Sequence, residues 1–196
     1  MNNSQHLRYA LILLLFIITS QTGQLYVNAY TVTLFPLLGT AAIIYLLREE
    51  WLAYDFNTLK NKRLYVWVYI GLSFCIPIQA IGTLLLGQES TVAESNIANY
   101  AVLPLYILTG ALLEEIVFRK ILLGYFNKVA PFWLSALLSS SIYSLFHFNI
   151  TRAIPYIAVG VVLCVIYKKS NTLSATILTH IALNIVGLIA ITLRSG

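Results

Sequence analysis

Seven apolar runs divide this chain, and most are close to the length of a helix that crosses a lipid bilayer. Such a helix needs about 20 predominantly apolar residues, because the hydrocarbon core is about 30 Å thick. Polar or turn-forming stretches separate the runs. The pattern predicts membrane spans at residues 8–22, 27–47, 64–86, 100–121, 131–149, 153–168 and 172–193.

The composition supports this interpretation. The chain has 59% hydrophobic and 10% charged residues, whereas about 25% of the residues in a soluble domain are charged. A length of 196 residues leaves room for about seven spans with short connections and for no separate soluble domain. We therefore predict an all-α, polytopic transmembrane helix bundle of about seven spans, forming a single transmembrane domain over residues 1–196.

The basic residues gather on one side of the predicted bundle. Cytoplasmic loops carry an excess of Lys and Arg, and Arg152 and Arg194 alone fall on the other side, whose largest loop holds Glu89 and Glu94. We expect an integral membrane protein, placed in the plasma membrane, with a cytoplasmic N-terminus and an external C-terminus. The residues on the cytoplasmic side are Arg8, Arg48, Lys60, Lys62, Arg63, Lys120, Lys128, Lys168 and Lys169.

This topology accounts for the net charge of +5 through contact with anionic lipid. No cluster of basic and aromatic residues indicates a nucleic-acid partner. The first run could instead be a signal peptide, since Arg8 precedes the apolar stretch 9–18. No clear cleavage site follows it, so we expect a retained span. Cys75 and Cys164 lie in different apolar runs without paired spacing, which is typical of small apolar fillers.

The fourth run contains three ionisable residues, Glu114, Glu115 and Arg119. Each charge in hydrocarbon costs roughly 2.5–3.5 kcal/mol, so such groups usually face a shared interior cavity. Glu115 and Arg119 are four residues apart and share one helical face, with the acid in the favourable N-terminal position. They could simply neutralise each other near the cytoplasmic interface while Glu114 snorkels. The depth of Glu114 argues that its carboxyl either takes a proton or finds partners inside the protein.

Two later runs supply the candidate partners. His180 and Asn184 share one face of the seventh run, and His147 follows Tyr143 by one turn on the fifth. A single histidine in a membrane helix is often only a hydrogen-bond former between helices. An acid pair, two imidazoles and an amide from three spans are together the inventory of a general base, an orienting group and donors for an oxyanion.

No nucleophile pattern competes with this set. Ser139, Ser140, Ser141 and Ser144 cluster on the fifth run, but no Gly-x-Ser-x-Gly elbow is present. Small hydroxyl residues in such a place more often permit close helix packing. The His-Glu-x-x-His helix of ordinary zinc proteases is also missing. Water activated by Glu and His, with or without a metal, is the remaining hydrolytic chemistry.

At these residues the chain resembles the CPBP intramembrane proteases, also called the CAAX protease and bacteriocin-processing family, which includes the Ras-converting-type CAAX endopeptidases. The shared features are Glu114-Glu115-x-x-x-Arg119, an aromatic-x-x-x-His at Tyr143 to His147, and His180-x-x-x-Asn184, in this order. The resemblance covers residues 100–193, which would form the catalytic core that bears the motifs. The family usually has Phe where this chain has Tyr143, a change that keeps an aromatic wall and adds a hydroxyl.

The resemblance implies a fold and an activity, namely a CAAX-protease-like helix bundle that cleaves a peptide or lipidated protein at the membrane. Glu114 would act as general base on a water that His147 also holds. His180 and Asn184 would stabilise the oxyanion at the scissile carbonyl.

Glu115 and Arg119 would order the site or the substrate backbone. The family is commonly called metalloprotease, yet a metal-free glutamate mechanism has also been argued for it. Glu114, His147 and His180 are therefore candidate ligands for a divalent metal such as zinc, or they serve as base and donors without one.

The predicted spans leave one inconsistency and two alternative functions. Glu114 and His180 fall about 13–16 Å from the cytoplasmic span ends but His147 about 24 Å, so the fifth span should be tilted, short or begin later. A non-proteolytic scaffold or bacteriocin-immunity protein is one alternative, and a small proton-coupled transporter is the other. The candidate substrates are a prenylated CAAX tail, a bacteriocin or pheromone leader, and a membrane-embedded segment.

Overall fold

The computed structural model describes residues 3–25, 29–52, 54–87 and 103–195. Every regular element in these ranges is helical, which confirms the predicted all-α fold. The first four helices are α1 (Asn3–Leu25), α2 (Ala29–Leu46), α3 (Arg48–Leu52) and α4 (Lys62–Leu86). The remaining helices are α5 (Leu103–Glu115), α6 (Leu123–Phe126), α7 (Phe132–Phe146), α8 (Ala153–Ser170) and α9 (Leu173–Ser195). A 3₁₀ turn at Phe56–Lys60 precedes α4, and another at Ile150–Arg152 precedes α8.

Each of the seven predicted spans coincides with a helical segment. The starts of the second and fourth predicted spans, and Glu89 and Glu94 in the loop predicted to be external, lie outside the described residues. Three described segments are long and apolar enough to cross a membrane, namely Lys62–Leu86, Ile150–Ser170 and Leu173–Ala190. The chain is thus an integral membrane protein, while the number of spans and the orientation of its ends stay predictions.

The fifth predicted span is wrong at its C-terminal end. Helix α7 ends at Phe146, not at residue 149, and His147 caps it. Phe148 adopts a left-handed conformation with φ of 50°, which an α-helix does not accommodate. The Asn149 side chain then accepts a hydrogen bond from the backbone N–H of Arg152 at 3.2 Å and begins the next turn. The 15 residues of α7 span only about 22 Å, which agrees with the expectation of a short segment.

The chain divides into two compact units by packing. The first comprises Met1–Asp55 and Ser90–Leu113. Within it α1 packs against α2, with the apolar side chains of Ile12, Phe16 and Ile43 buried. The prediction of a single transmembrane domain over residues 1–196 remains a prediction.

The second unit, Phe56–Glu89 and Glu114–Gly196, contains all six candidate catalytic residues. Helix α8 is central to it and packs against α4, α7 and α9. Gly160 on α8 allows a close approach to α7, since a Cβ there would lie 2.7 Å from Cβ of Ser140. Small residues bring helices together in this way in membrane proteins, where apolar burial alone gives little driving force.

The core of this unit confirms the two predictions about small side chains. Cys75 and Cys164 are both buried in apolar clusters, as fillers. The serines of α7 serve contacts between helices, because the Ser144 hydroxyl donates to the Ala153 carbonyl at 3.2 Å and Ser139 donates to the Phe118 carbonyl at 2.6 Å.

The segment that follows Glu115 departs from the regular helix that the sequence predicts. Ile116–Leu122 is π-helical, and the N–H of Leu123 donates to the Phe118 carbonyl five residues earlier. The same carbonyl accepts the Ser139 hydroxyl from α7. Single π-helical turns inside α-helices are frequent at functional sites, and this one contains Arg119.

Candidate active site

Glu115 and Arg119 form the predicted ion pair. Nη1 of Arg119 lies 3.0 Å from Oε1 of Glu115, and their side chains are 1% and 0% exposed. The pair is therefore sealed inside the second unit and does not lie at an exposed surface. A buried ion pair is costly to break, because removal of one partner leaves an uncompensated charge.

His180 on α9 lies against both carboxylates. Its Nδ1 is 2.8 Å from Oε1 of Glu115, and its Nε2 is 3.7 Å from Oε2 of Glu114. An ionised carboxylate only accepts hydrogen bonds, so we assign the proton on Nδ1 as donated to Glu115. Oε1 of Glu115 thus serves Arg119 and His180 together and fixes the plane of the imidazole.

Glu114 differs from its neighbour in exposure. Its side chain is 25% exposed, whereas that of Glu115 is wholly buried. Oε2 of Glu114 is buried and has no hydrogen-bond partner within the described part of the chain. This carboxyl does not snorkel away from the site, because it faces Nε2 of His180. Of the two acids, Glu114 is thus the less enclosed.

With both carboxylates ionised, the charges of the cluster balance when His180 is protonated. Glu114 and Glu115 carry two negative charges, and Arg119 supplies one positive charge. A buried net charge is strongly unfavourable. A second proton on His180 would make the group neutral and would turn Nε2 into a hydrogen-bond donor.

Tyr143 is the aromatic centre of the site and is 3% exposed. The guanidinium carbon of Arg119 lies 4.7 Å from the centroid of its ring. The rings of His147 and His180 meet it edge to face, at centroid distances of 4.7 Å and 6.2 Å. The predicted aromatic wall thus contacts three of the candidate residues.

His147 joins the site through aromatic contacts. It is partly buried at the end of α7, between the edge of Tyr143 and the face of Tyr156. Tyr156 on α8 stacks on the imidazole at 4.1 Å with an interplanar angle of 7°. Sequence reasoning missed Tyr156, since it follows His147 by nine residues across a chain turn and no local spacing indicates the contact.

Asn184 lies on α9 one turn beyond His180 and is partly buried. The two residues share a face of that helix, as their spacing predicts. The catalytic roles of all six candidates stay predictions. Polar contacts directly join the side chains of Glu114, Glu115, Arg119 and His180.

The candidate metal ligands do not form a three-ligand group. Among the described residues, no three His, Cys, Asp or Glu side chains are arranged to hold a metal ion. Glu114 and His180 come together, and Oε1 of Glu115 is already bound by Arg119 and His180. Structural and catalytic zinc sites use at least three protein ligands. The arrangement of Glu114, His147 and His180 therefore does not fit a zinc site.

Comparison with known proteins finds similarity in the part of the chain that bears the three motifs. Residues 96–186 match the family model described as type II CAAX prenyl endopeptidase Rce1-like. This range includes all three motifs. No solved structure matches the chain.

Two curated proteins are similar. A putative membrane peptidase, YdiL of Bacillus subtilis (strain 168), is 28% identical over 103 residues, which cover 50% of this chain and 42% of YdiL. The membrane-embedded CAAX protease MroQ of Staphylococcus aureus (strain USA300) is 28% identical over 145 residues, covering 64% of this chain and 58% of MroQ. The chain thus spans about half the length of these relatives.

The resemblance found in the motifs covers residues 100–193, and the family model matches the overlapping range 96–186. Residues 96–186 of this membrane protein match the Rce1-like CAAX prenyl endopeptidase family, which confirms the predicted relationship to CAAX proteases.

Proposed function

We propose that this protein is an intramembrane endopeptidase that hydrolyses a peptide bond of a membrane-associated substrate with water activated by Glu114. The observation that carries the proposal is the difference between two adjacent carboxyls. Glu115 is sealed and bound by Arg119 and His180, whereas Glu114 is partly exposed and faces Nε2 of His180 at 3.7 Å. One acid is thus fixed as an orienting group, and the other is free to exchange a proton.

In the proposed reaction, Glu114 takes a proton from a water that His147 also holds. The water oxygen forms a bond to the scissile carbonyl carbon, and the carbonyl oxygen becomes an oxyanion. Glu114 then returns its proton to the amide nitrogen as the carbon–nitrogen bond breaks. The products are a carboxylic acid and an amine, so the proton that leaves the water reaches the leaving group.

His180 and Asn184 would stabilise the oxyanion. An imidazolium held by Glu115 through Nδ1 can donate from Nε2, and the Asn184 amide lies one turn further along the same helix. Donors fixed before the reaction are effective in a water-poor site, since they need no reorganisation as charge develops. The sealed pair of Glu115 and Arg119 would keep the imidazole in place.

The family's description as a CAAX prenyl endopeptidase supports one substrate class. We propose a substrate with a lipid-modified cysteine close to its C-terminus, presented from the bilayer. A leader peptide or an unmodified membrane segment would be cleaved without the lipid. The lipid requirement therefore separates these substrate classes.

The test uses the purified full-length protein and two fluorogenic peptides that share a C-terminal Cys-aliphatic-aliphatic-X sequence. One peptide carries a farnesyl group on the cysteine and the other does not. We expect the wild type to cleave the farnesylated peptide and Glu114→Gln to lose this cleavage. Glu49→Gln makes the same chemical change at an exposed ion pair of the first unit and serves as the control.

Equal cleavage by wild type and Glu114→Gln would refute the proposed role of Glu114. Absence of cleavage by the wild type calls for a search in cells, by proteomic comparison of membranes that contain wild-type or Glu114→Ala protein. A peptide that loses a new terminus in the variant would identify the substrate. No difference between these membranes would favour the scaffold interpretation.

A further inference from the structure

His147 lies just beyond the C-terminal end of a helix, which limits the neighbours that can hold its ring. Helix α7 ends at Phe146, and Phe148 is left-handed. His147 therefore has no neighbour one turn later in the same helix. Contacts from elsewhere must hold the imidazole.

Two aromatic rings make these contacts, and they differ in kind. Tyr143 presents its ring at 80° to the imidazole, 4.7 Å away and one turn earlier on the same helix. Tyr156 lies almost parallel to the imidazole, at 4.1 Å and 7°. A parallel ring restricts rotation of the imidazole about its χ2 angle, because a rotated ring would collide with the tyrosine face. Tyr156 is 8% exposed and belongs to the core.

The chain between His147 and Tyr156 is anchored at several points. The Asn149 side chain accepts a hydrogen bond from the backbone N–H of Arg152. The Arg152 guanidinium donates to the Thr83 hydroxyl at 3.2 Å and to the Gly87 carbonyl at the end of α4. These bonds set where α8 begins. They also explain a basic residue on the side predicted to be external, since Arg152 is only 6% exposed and binds the end of a helix.

The first turn of α8 is also fixed to α7. Ser144, in the last turn of α7, donates its hydroxyl to the Ala153 carbonyl at 3.2 Å. Tyr156 stands one turn after Ala153 and therefore has a defined position relative to the end of α7. The stack on His147 follows from this anchoring.

We propose that Tyr156 is a positioning residue that holds the His147 imidazole in the orientation needed to bind the attacking water, an inference that rests on the proposed peptidase function. In this role Tyr156 acts through His147 by the flat face of its ring, which Phe also provides. Tyr156→Phe should therefore keep the function. Tyr156→Met, which fills a similar volume without a flat ring, should weaken it.

Kinetics of the full-length protein with the farnesylated peptide test this role. We expect Tyr156→Met to lower kcat about 3- to 10-fold, as the loss of one aromatic contact predicts, with KM within about twofold of the wild type. Tyr156→Phe should keep the kcat of the wild type. Tyr167→Met makes the same substitution on the same helix, beside the separate apolar cluster of Leu123, Ala136 and Cys164, and should also keep it.

A spectroscopic measurement tests the contact without any substrate. The chain has three histidines, so selective isotope labelling gives few imidazole signals. Stacking on Tyr156 should shift the ring protons of His147 upfield, and an NOE should join the two rings. Tyr156→Met should remove the shift for His147 and leave those of His6 and His180 in place, and Tyr156→Phe should retain it.

The outcomes separate the two proposals. A wild-type kcat in Tyr156→Met, or an equal loss in Tyr156→Met and Tyr156→Phe, would overturn the role of Tyr156 while peptidase activity stands. The absence of the ring NOE in the wild type would overturn the contact itself, even if Tyr156→Met did not fold. A wild type that cleaves neither the farnesylated peptide nor any protein in the membrane comparison would overturn the proposed function and, with it, the role of Tyr156.

Discussion

Nδ1 of His180 lies 2.8 Å from Oε1 of Glu115, the same oxygen that Arg119 contacts at 3.0 Å. A buried carboxylate that holds an imidazole in this way fixes both its orientation and the nitrogen that carries the proton, as the aspartate of a serine-protease triad does. The opposite nitrogen of His180 then faces Glu114. Two adjacent acids on one helix thereby contact two sides of one imidazole.

This relationship predicts that Glu115→Gln destabilises the protein. The substitution leaves Arg119 buried without a countercharge and weakens the hold on His180. Loss of one partner of a buried pair typically costs about 3–5 kcal/mol. We expect a clearly lower melting temperature in detergent and loss of peptide cleavage. A melting temperature equal to that of the wild type would contradict a structural role for the pair.

The double variant Glu115→Gln with Arg119→Met is the control for that prediction. It removes both charges together, so it should be less destabilised than the sum of the two single variants. Additive effects would show that the two side chains do not stabilise each other. A thermal denaturation series of the four proteins measures the coupling.

Glu114→Gln should lower activity without lowering stability, whereas Glu115→Gln should lower both. The amide keeps the shape of the side chain but has no basicity, so cleavage should fall by about 10² or more. The side chain is partly exposed and makes no ion pair as close as that of Glu115, so the melting temperature should stay near that of the wild type. Unchanged cleavage at equal expression would favour a function without proteolysis.

Asn184→Ala tests the oxyanion donor. The variant should lower kcat by about 10², the usual cost of losing one such donor. The neighbouring Ile185→Ala truncates a side chain that is 44% exposed and should keep the activity of the wild type. If both variants cleave equally well, Asn184 has no part in catalysis.

The aromatic wall predicts a contrast between two substitutions of Tyr143. Tyr143→Phe keeps the ring that contacts Arg119, His147 and His180, so activity should stay within about twofold of the wild type. Tyr143→Leu removes those contacts and should lower both activity and melting temperature. Cleavage rates and thermal denaturation of the two variants provide the measurement. A large loss in Tyr143→Phe would instead assign a role to the hydroxyl.

The topology prediction rests on the distribution of charge. Nine of the twelve basic residues lie on the predicted cytoplasmic side, which places the C-terminus outside for seven spans. Reporter fusions after Gly196 that are active only in the cytoplasm or only outside measure the location of this end. A strong cytoplasmic signal would mean eight spans or the opposite orientation.

Features that depend on local spacing could be predicted from the sequence. Apolar runs predicted the helices because a bilayer requires about 20 apolar residues in a row. The spacing of Glu115 and Arg119 predicted their contact, because residues four apart are neighbours on a helix. The same rule placed His180 and Asn184 on one face.

Tertiary structure alone decided which groups meet across helices and which remain open. His180 and Glu115 are 65 residues apart in the chain, and neither sequence position indicates that their contact seals one acid and leaves its neighbour exposed. The stack of Tyr156 on His147 likewise depends on where α7 ends and how α8 is anchored. The sequence by itself determined the helices and the residue types in the site, since helical periodicity is a local property. The difference in exposure between Glu114 and Glu115 was decided by tertiary packing, because burial depends on every helix that surrounds a side chain.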